Sequence, residues 1–274
     1  MRTLPMVLIL TLATLAVAAP TYPWLTTPPK PENRLERRIA APRGYTRVAV
    51  TPHSFAEWLR GLPLRPGRPP VLLYTGKPKG RQDVHAAVVD LDVGTRDLQQ
   101  CADAVMRLRG EYLYSRKDYA AIHFNFTSGF RADFSKWAQG YRVAVRGARV
   151  SWVKRAAADS SHASFRAYLD TVFTYAGTAS LSKELAPVRV EEMQIGDVFI
   201  RGGFPGHAVI VADLAKDART GKRVFLLAQS YMPAQQVHLL NNPATGTPWY
   251  PLDFGEELVT PEYVFTRGEL KRFT

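Results

Sequence analysis

The sequence predicts an α+β fold in which one well-formed helix packs against an antiparallel sheet. Three observations carry that reading. Cys101, Val105, Leu108 and Tyr112 recur at helical spacing, so residues 97–114 should form a helix with one apolar stripe. Residues 198–201, 207–212 and 224–229 are short apolar runs separated by turn residues, the pattern of antiparallel strands. Helical patterns dominate the first half and strand patterns the second, which favours α+β over an alternating α/β arrangement.

The elements follow in order. Arg2, the apolar run at residues 7–17 and the small residues of Ala16-Val17-Ala18 read as a secretory signal peptide over residues 1–18. The run is short for a membrane span, so no stable transmembrane anchor is expected, and an uncleaved anchor is the alternative. The protein is therefore expected to be exported, periplasmic or secreted. Five prolines between Pro20 and Pro31 read as an extended tether covering residues 19–33. Residues 34–274 show no repeat and no composition break, and are taken as one domain. Ser54 with Glu57 is a capping box opening a short helix. Residues 63–70 are a proline-rich loop. Strands are expected at 71–74 and 84–91, with a glycine turn at 76–80 between them. Asp97, followed by Gln100, can cap the long helix. A strand at 122–126, a short helix around Trp137, a longer helix at 164–175 and a strand at 237–240 complete the pattern. Residues 241–254 read as a loop carrying Trp249 and Tyr250.

The chain has 274 residues, 46% hydrophobic and 22% charged, with a net charge of +12. That composition suits a globular protein rather than a disordered one. The positive charge suits a cell-wall peptide or another anionic envelope polymer as partner. No basic run interleaved with aromatics points to nucleic acid. No His-x-x-x-His, paired-cysteine or acidic calcium loop points to a metal, and no phosphate loop or Gly-x-Ser-x-Gly elbow is present. No cofactor is implied.

Chemistry centres on the single cysteine, Cys101. An exported chain with one thiol cannot close an internal disulfide, so the thiol is buried and inert, paired with another chain, or chemically employed. A position near a helix start favours a thiolate, because unpaired N–H groups and the helix dipole face it. His207 opens a strand just after Gly202-Gly203-Phe204-Pro205-Gly206. Its neighbours Gly206 and Ala208 are small, which leaves room for a second group to approach. If residues 207–212 and 224–229 form a hairpin centred near residue 218, Gln229 lies directly across from His207. Its amide could hold the imidazole and aim the other ring nitrogen at sulfur, although a one-residue slip would undo the pairing. His85, also at a strand start, is a candidate base in a permuted order. Asp213 lies six residues along the strand, roughly 20 Å from His207. His123 and His238 have no partner spacing. Trp249 and Tyr250 could wall a substrate groove or anchor their loop.

The segments "MQIGDVFI" and "GHAVIV" resemble the strand–histidine–strand stretch of the NlpC-like and CHAP-type cysteine hydrolases, a papain-like group of cell-wall peptidases and amidases. That resemblance implies a papain-like fold, with Cys101 as nucleophile, His207 as base and Gln229 as the group orienting it. Gln100 and Ala102 flank Cys101 where those families carry Asp and Ser or Gly. The Cys101 backbone N–H, with the Gln99 or Gln100 amide, is then the candidate oxyanion hole. The stretches "DLQQCADAVMRLRGEYLY", "GDVFIRGGFPGHAVIV" and "FLLAQSYMPAQ" resemble an exported bacterial family, domain-of-unknown-function family 4846. Together these imply a thiol-dependent hydrolase acting on amide bonds of peptidoglycan stem peptides. The alternative is a binding or scaffolding protein of the envelope that keeps the fold without turnover.

Overall fold

The computed structural model describes residues 20–147 and 149–274. The expected signal peptide, residues 1–18, lies outside the described residues. A nine-stranded sheet organises the chain. Its strands are β1 (Tyr45–Arg47), β2 (His85–Val88), β3 (Ala186–Pro187), β4 (Val198–Arg201), β5 (His207–Asp217), β6 (Arg223–Gln229), β7 (His238–Leu240), β8 (Trp249–Pro251) and β9 (Leu270–Arg272). They lie in the order β2-β7-β6-β5-β4-β9-β3. All pairings are antiparallel. β5 shares one edge between β4 and β1, and β6 shares one between β7 and β8.

β5 is buried from His207 to Ala215 because both of its faces are covered. Its sequence is therefore apolar without alternation. It runs past residue 212, where the sequence pattern ended, through Asp213. That carboxylate is fully buried, and it is neutralised by Arg47 Nε at 2.6 Å and Arg60 Nε at 2.8 Å. Paired and hydrogen-bonded in this way, a charge can sit inside a strand. The β5–β6 ladder pairs Leu226 with Asp213 and then shifts by one residue, so that Leu227 faces Val211 and Ala228 faces Ile210. The extra residue is a β-bulge.

Six α-helices are present among the described residues: α1 (Leu35–Arg38), α2 (Phe55–Arg60), α3 (Cys101–Ser115), α4 (Phe134–Ala138), α5 (His162–Tyr175) and α6 (Thr178–Glu184). α2 begins as the capping box requires, with Ser54 Oγ accepting the Glu57 N–H at 3.2 Å. α3 packs across β5 and β6. It is buried well beyond the expected stripe, because its polar residues are paired inside. Arg107 Nε lies 2.7 Å from Glu111 Oε1, both side chains are fully buried, and His162 Nε2 reaches Glu111 at 3.0 Å.

Some expectations change. α3 starts at Cys101 rather than Asp97, because Gln100 is extended (φ −89°, ψ −158°) and is itself the N-cap residue. Asp97 Oδ1 instead accepts from Gln100 Nε2 at 3.0 Å and Ala234 N at 2.7 Å. Residues 71–74 make only isolated bridges, Leu72 with Pro78 and Leu73 with Gln235. A hairpin of Tyr141–Arg146 with Arg149–Lys154 was not anticipated. The proline-rich stretch expected as a tether is docked on the body. The Tyr22 ring packs 5.2 Å from Trp58, and Trp24 Nε1 donates to Asp90 O at 2.6 Å.

The bend between β4 and β5 is tightly built. A Cβ on Gly206 would meet Thr178 Oγ1 at 2.4 Å and the carbonyl oxygens of Arg201 and Gly203 at 2.6 Å. Overpacking of this kind costs about 1–3 kcal/mol. Urea unfolding of Gly206→Ala should show that loss. Gly268→Ala, with nothing within 4 Å of its Cβ, should stay within about 0.5 kcal/mol of the parent.

Candidate active site

Cys101 is the first residue of α3, where backbone N–H groups have no helical acceptor. It lines a cleft of about 410 Å³ between the starts of α3 and α6 and the Gly203–Gly206 bend. Phe204 and Met232 border this cleft and are 87% and 54% exposed. His207 opens β5 immediately after the bend and is 2% exposed. Its ring is held among Tyr231, Tyr263 and Phe265, with centroids 4.8, 5.0 and 5.8 Å away.

His207 Nε2 lies 2.9 Å from Gln229 Oε1. An amide oxygen only accepts, so Nε2 carries the proton and Nδ1 is left with its lone pair. Nδ1 is the ring nitrogen nearer its own backbone. The adjoining Ala208 backbone amide lies close enough to the Cys101 sulfur to favour its thiolate. Among the described residues no hydrogen bond joins the Cys101 thiol to the His207 ring.

Gln229 is not directly opposite His207. Continuing the ladder beyond Ala228–Ile210 puts it opposite Val209, one diagonal step from His207 on the same sheet face. Across the other edge of β6 it faces His238. A row of polar side chains therefore crosses the sheet. Gln229 Nε2 is 2.7 Å from Glu262 Oε2 and 3.4 Å from His238 Nε2. Lys79 Nζ is 2.5 Å from Glu262 Oε1. The His238 ring lies 6.2 Å from that of His85.

Burial decides the protonation of these groups. It pushes the Cys101 thiol up to about 11, with the Asp103 carboxyl adding to the effect and the amides of Ala102, Ala208 and Cys101 opposing it. It pushes His207 down to about 4, against the Gln229 hydrogen bond. His238 falls to about 3 for the same reason. Thiol and imidazole are thus both neutral at rest. Asp103 lines the cleft, and burial raises its carboxyl well above the usual range.

Residues 35–272 match one protein family along nearly the whole described chain. The chain belongs to the family Domain of unknown function (4846). No curated protein matches the chain, and no solved structure does. In this family member, Cys101, His207 and Gln229 are gathered at one end of the sheet. Gln99 and Gln100 are not equivalent. Gln99 is occupied, with Oε1 accepting from Arg107 at 2.8 Å and Nε2 donating to Asp92 O at 3.3 Å. Gln100 lines the cleft. Trp249 and Tyr250 lie elsewhere. They form β8 beside the far end of β6, with Trp249 Nε1 donating to Ala40 O at 2.9 Å and Tyr250 Oη to Asn241 O at 2.6 Å. Both anchor that strand. His85 lies on β2, with Nε2 at Pro69 O, 3.0 Å away. Among the described residues no group of His, Cys, Asp and Glu is arranged to hold a metal ion.

Sequence reasoning missed Glu262 and Lys79. Each sits on a turn far along the chain from Gln229, and neither shares a periodic pattern with it. The only available signal was the Gly76–Gly80 turn, which brings Lys79 back toward the sheet.

The two buried histidines tie stability to pH. Their neutral forms are favoured only in the folded state, so this stability is present above pH 6.5 and is lost as pH falls toward 4, while the unfolded chain takes up protons. Each histidine is worth of the order of 3 kcal/mol over that range. Urea unfolding at pH 7 and pH 4.5 should show the drop, and His207→Phe should make it smaller.

Proposed function

We propose that the chain is an exported thiol hydrolase of papain-like architecture that cleaves amide bonds in peptidoglycan stem peptides. One observation carries the reading. A helix-start thiol lines an open cleft, and the strand that passes it at Ala208 opens on a buried imidazole whose distal nitrogen is held by an amide oxygen. His207 Nδ1 takes the Cys101 proton as the sulfur attacks the substrate carbonyl carbon. Because burial holds the thiol protonated, proton removal accompanies attack rather than preceding it. The oxyanion meets the Cys101 backbone N–H, with the Gln100 side chain at the cleft wall as the second candidate donor. His207 returns the proton to the leaving amine, which leaves a thioester. Water, deprotonated by the same nitrogen, then releases the acid.

The cleft argues for the peptide part of such a substrate. Asp97 lines it and no Lys or Arg does, while burial favours the neutral form of the Asp103 carboxyl there. It suits a neutral or cationic segment, and Phe204 and Met232 offer an apolar rim. The excess positive charge lies on the outside, as in the hairpin bearing Arg146, Arg149 and Lys154, where it would keep the protein near an anionic envelope polymer. Among the described residues no helix is long and apolar enough to cross a membrane.

A second reading, an envelope binding or scaffolding protein without turnover, is favoured by one fact: both reacting groups are neutral at rest and no hydrogen bond joins them. Mass spectrometry of stem-peptide fragments separates the two. The parent protein should release new amine and acid termini, Cys101→Ala should release none, and His207→Ala should be slower by at least about 100-fold. Identical fragment profiles for parent and Cys101→Ala would leave only the binding reading.

A further inference from the structure

The orientation of one amide decides which nitrogen of His207 carries the proton. If the Gln229 amide were turned over, its NH2 would point at the ring. His207 Nε2 would then have to accept, the proton would move to Nδ1, and the base beside Cys101 would be lost. Something must therefore hold the amide oxygen toward the histidine.

Two acceptors meet the amide nitrogen. Glu262 Oε2 lies 2.7 Å away, and a carboxylate cannot donate. His238 Nε2 lies 3.4 Å away. Its own ring proton is on Nδ1, which faces Gln236 O at 2.8 Å, so Nε2 accepts. The carboxylate is the shorter and charged partner, and charge-assisted bonds are roughly twice as strong as neutral ones. Glu262 is in turn paired with Lys79 Nζ, 2.5 Å from its other oxygen, with side-chain exposures of 7% for Lys79 and 10% for Glu262. Both come from turns that pack against each other. Glu262 sits in the turn closed by the Thr260 N–H on Tyr263 O, and Arg81 Nη1 donates to Pro261 O in the same turn at 2.8 Å.

We propose that the Lys79–Glu262 ion pair is the positioning element of this site: it fixes the Gln229 amide, and through it the Nε2–H tautomer of His207. The assignment rests on the catalytic reading of His207 for its purpose, but the hydrogen-bond polarity stands without it. Lys79 and Glu262 are positioning residues; neither lines the Cys101 cleft.

The polarity can be inverted with two atoms. In Glu262→Gln the new amide turns its oxygen to the buried Lys79 ammonium and its NH2 to Gln229. Gln229 then rotates against the longer His238 contact, and His207 switches to the Nδ1–H tautomer. Adding Lys79→Met removes the cation that dictated the rotation and returns the original polarity. Nitrogen-15 NMR of the histidine rings in the full chain reads the tautomer directly, and iodoacetamide labelling reads the Cys101 rate. The parent should be Nε2–H. Glu262→Gln should be Nδ1–H, with labelling slowed at least about 100-fold. The double variant should recover Nε2–H and at least a tenth of the parent rate. A folded Glu262→Gln that keeps Nε2–H overturns the proposal. If that variant does not fold, Glu262→Leu, which removes the carboxylate and leaves only the longer His238 contact, should show both tautomers, and a pure Nε2–H signal there overturns the proposal too. A tautomer switch with unchanged labelling upholds the relay and counts against the hydrolase reading instead.

Discussion

The one-residue shift between Leu226 and Leu227 in the β5–β6 ladder is the constraint on which the site depends. Side chains alternate faces along a strand, so the register of a pair decides which residues share a face. With the register that holds from Arg223 to Leu226, Gln229 would fall opposite Ile210, on the face away from His207. The bulge removes one residue from the count and returns Gln229 to the face of His207. On the other edge of β6 a separate register sets His238 opposite Gln229. A local irregularity in backbone pairing thus places His207 and Gln229 on one side of the sheet.

A line of polar groups through a buried sheet is costly unless each member is satisfied. Here donation converges on the Glu262 carboxylate, from the Lys79 ammonium on one side and from the His207 imidazole through the Gln229 amide on the other. Asp213 solves the same problem at the other end of β5 with two arginines. Both arrangements combine a charge with its counter-charge and a set of donors, so the low-dielectric interior strengthens the bonds instead of penalising the ions. His85 Nδ1 has no partner and marks where this line ends.

Much of this site was legible in the sequence because its members sit at element boundaries. Cys101 follows the helix cap, His207 follows a glycine bend, and Gln229 ends an apolar run. The hairpin argument reached Gln229, which does hydrogen-bond His207, through a register that the structure does not have. It placed Gln229 opposite residue 207, whereas the ladder places it opposite Val209, because a bulge leaves no mark in hydrophobic patterning. β8 was hidden for a different reason. Pro248 and Pro251 bracket Trp249 and Tyr250, so an aromatic strand read as a loop. Glu262 was out of reach altogether. A glutamate on a turn looks like any solvated glutamate until the chain folds it against Lys79.

The sheet finishes at β3, a strand of two residues that includes Pro187. Proline has no amide hydrogen, so this border presents almost nothing for a foreign strand to zip onto. A guest peptide would gain little by lengthening the sheet here, and two copies of the chain would find no seam for fibre growth along that side. That keeps a strand-rich basic protein from sticking to itself through this edge.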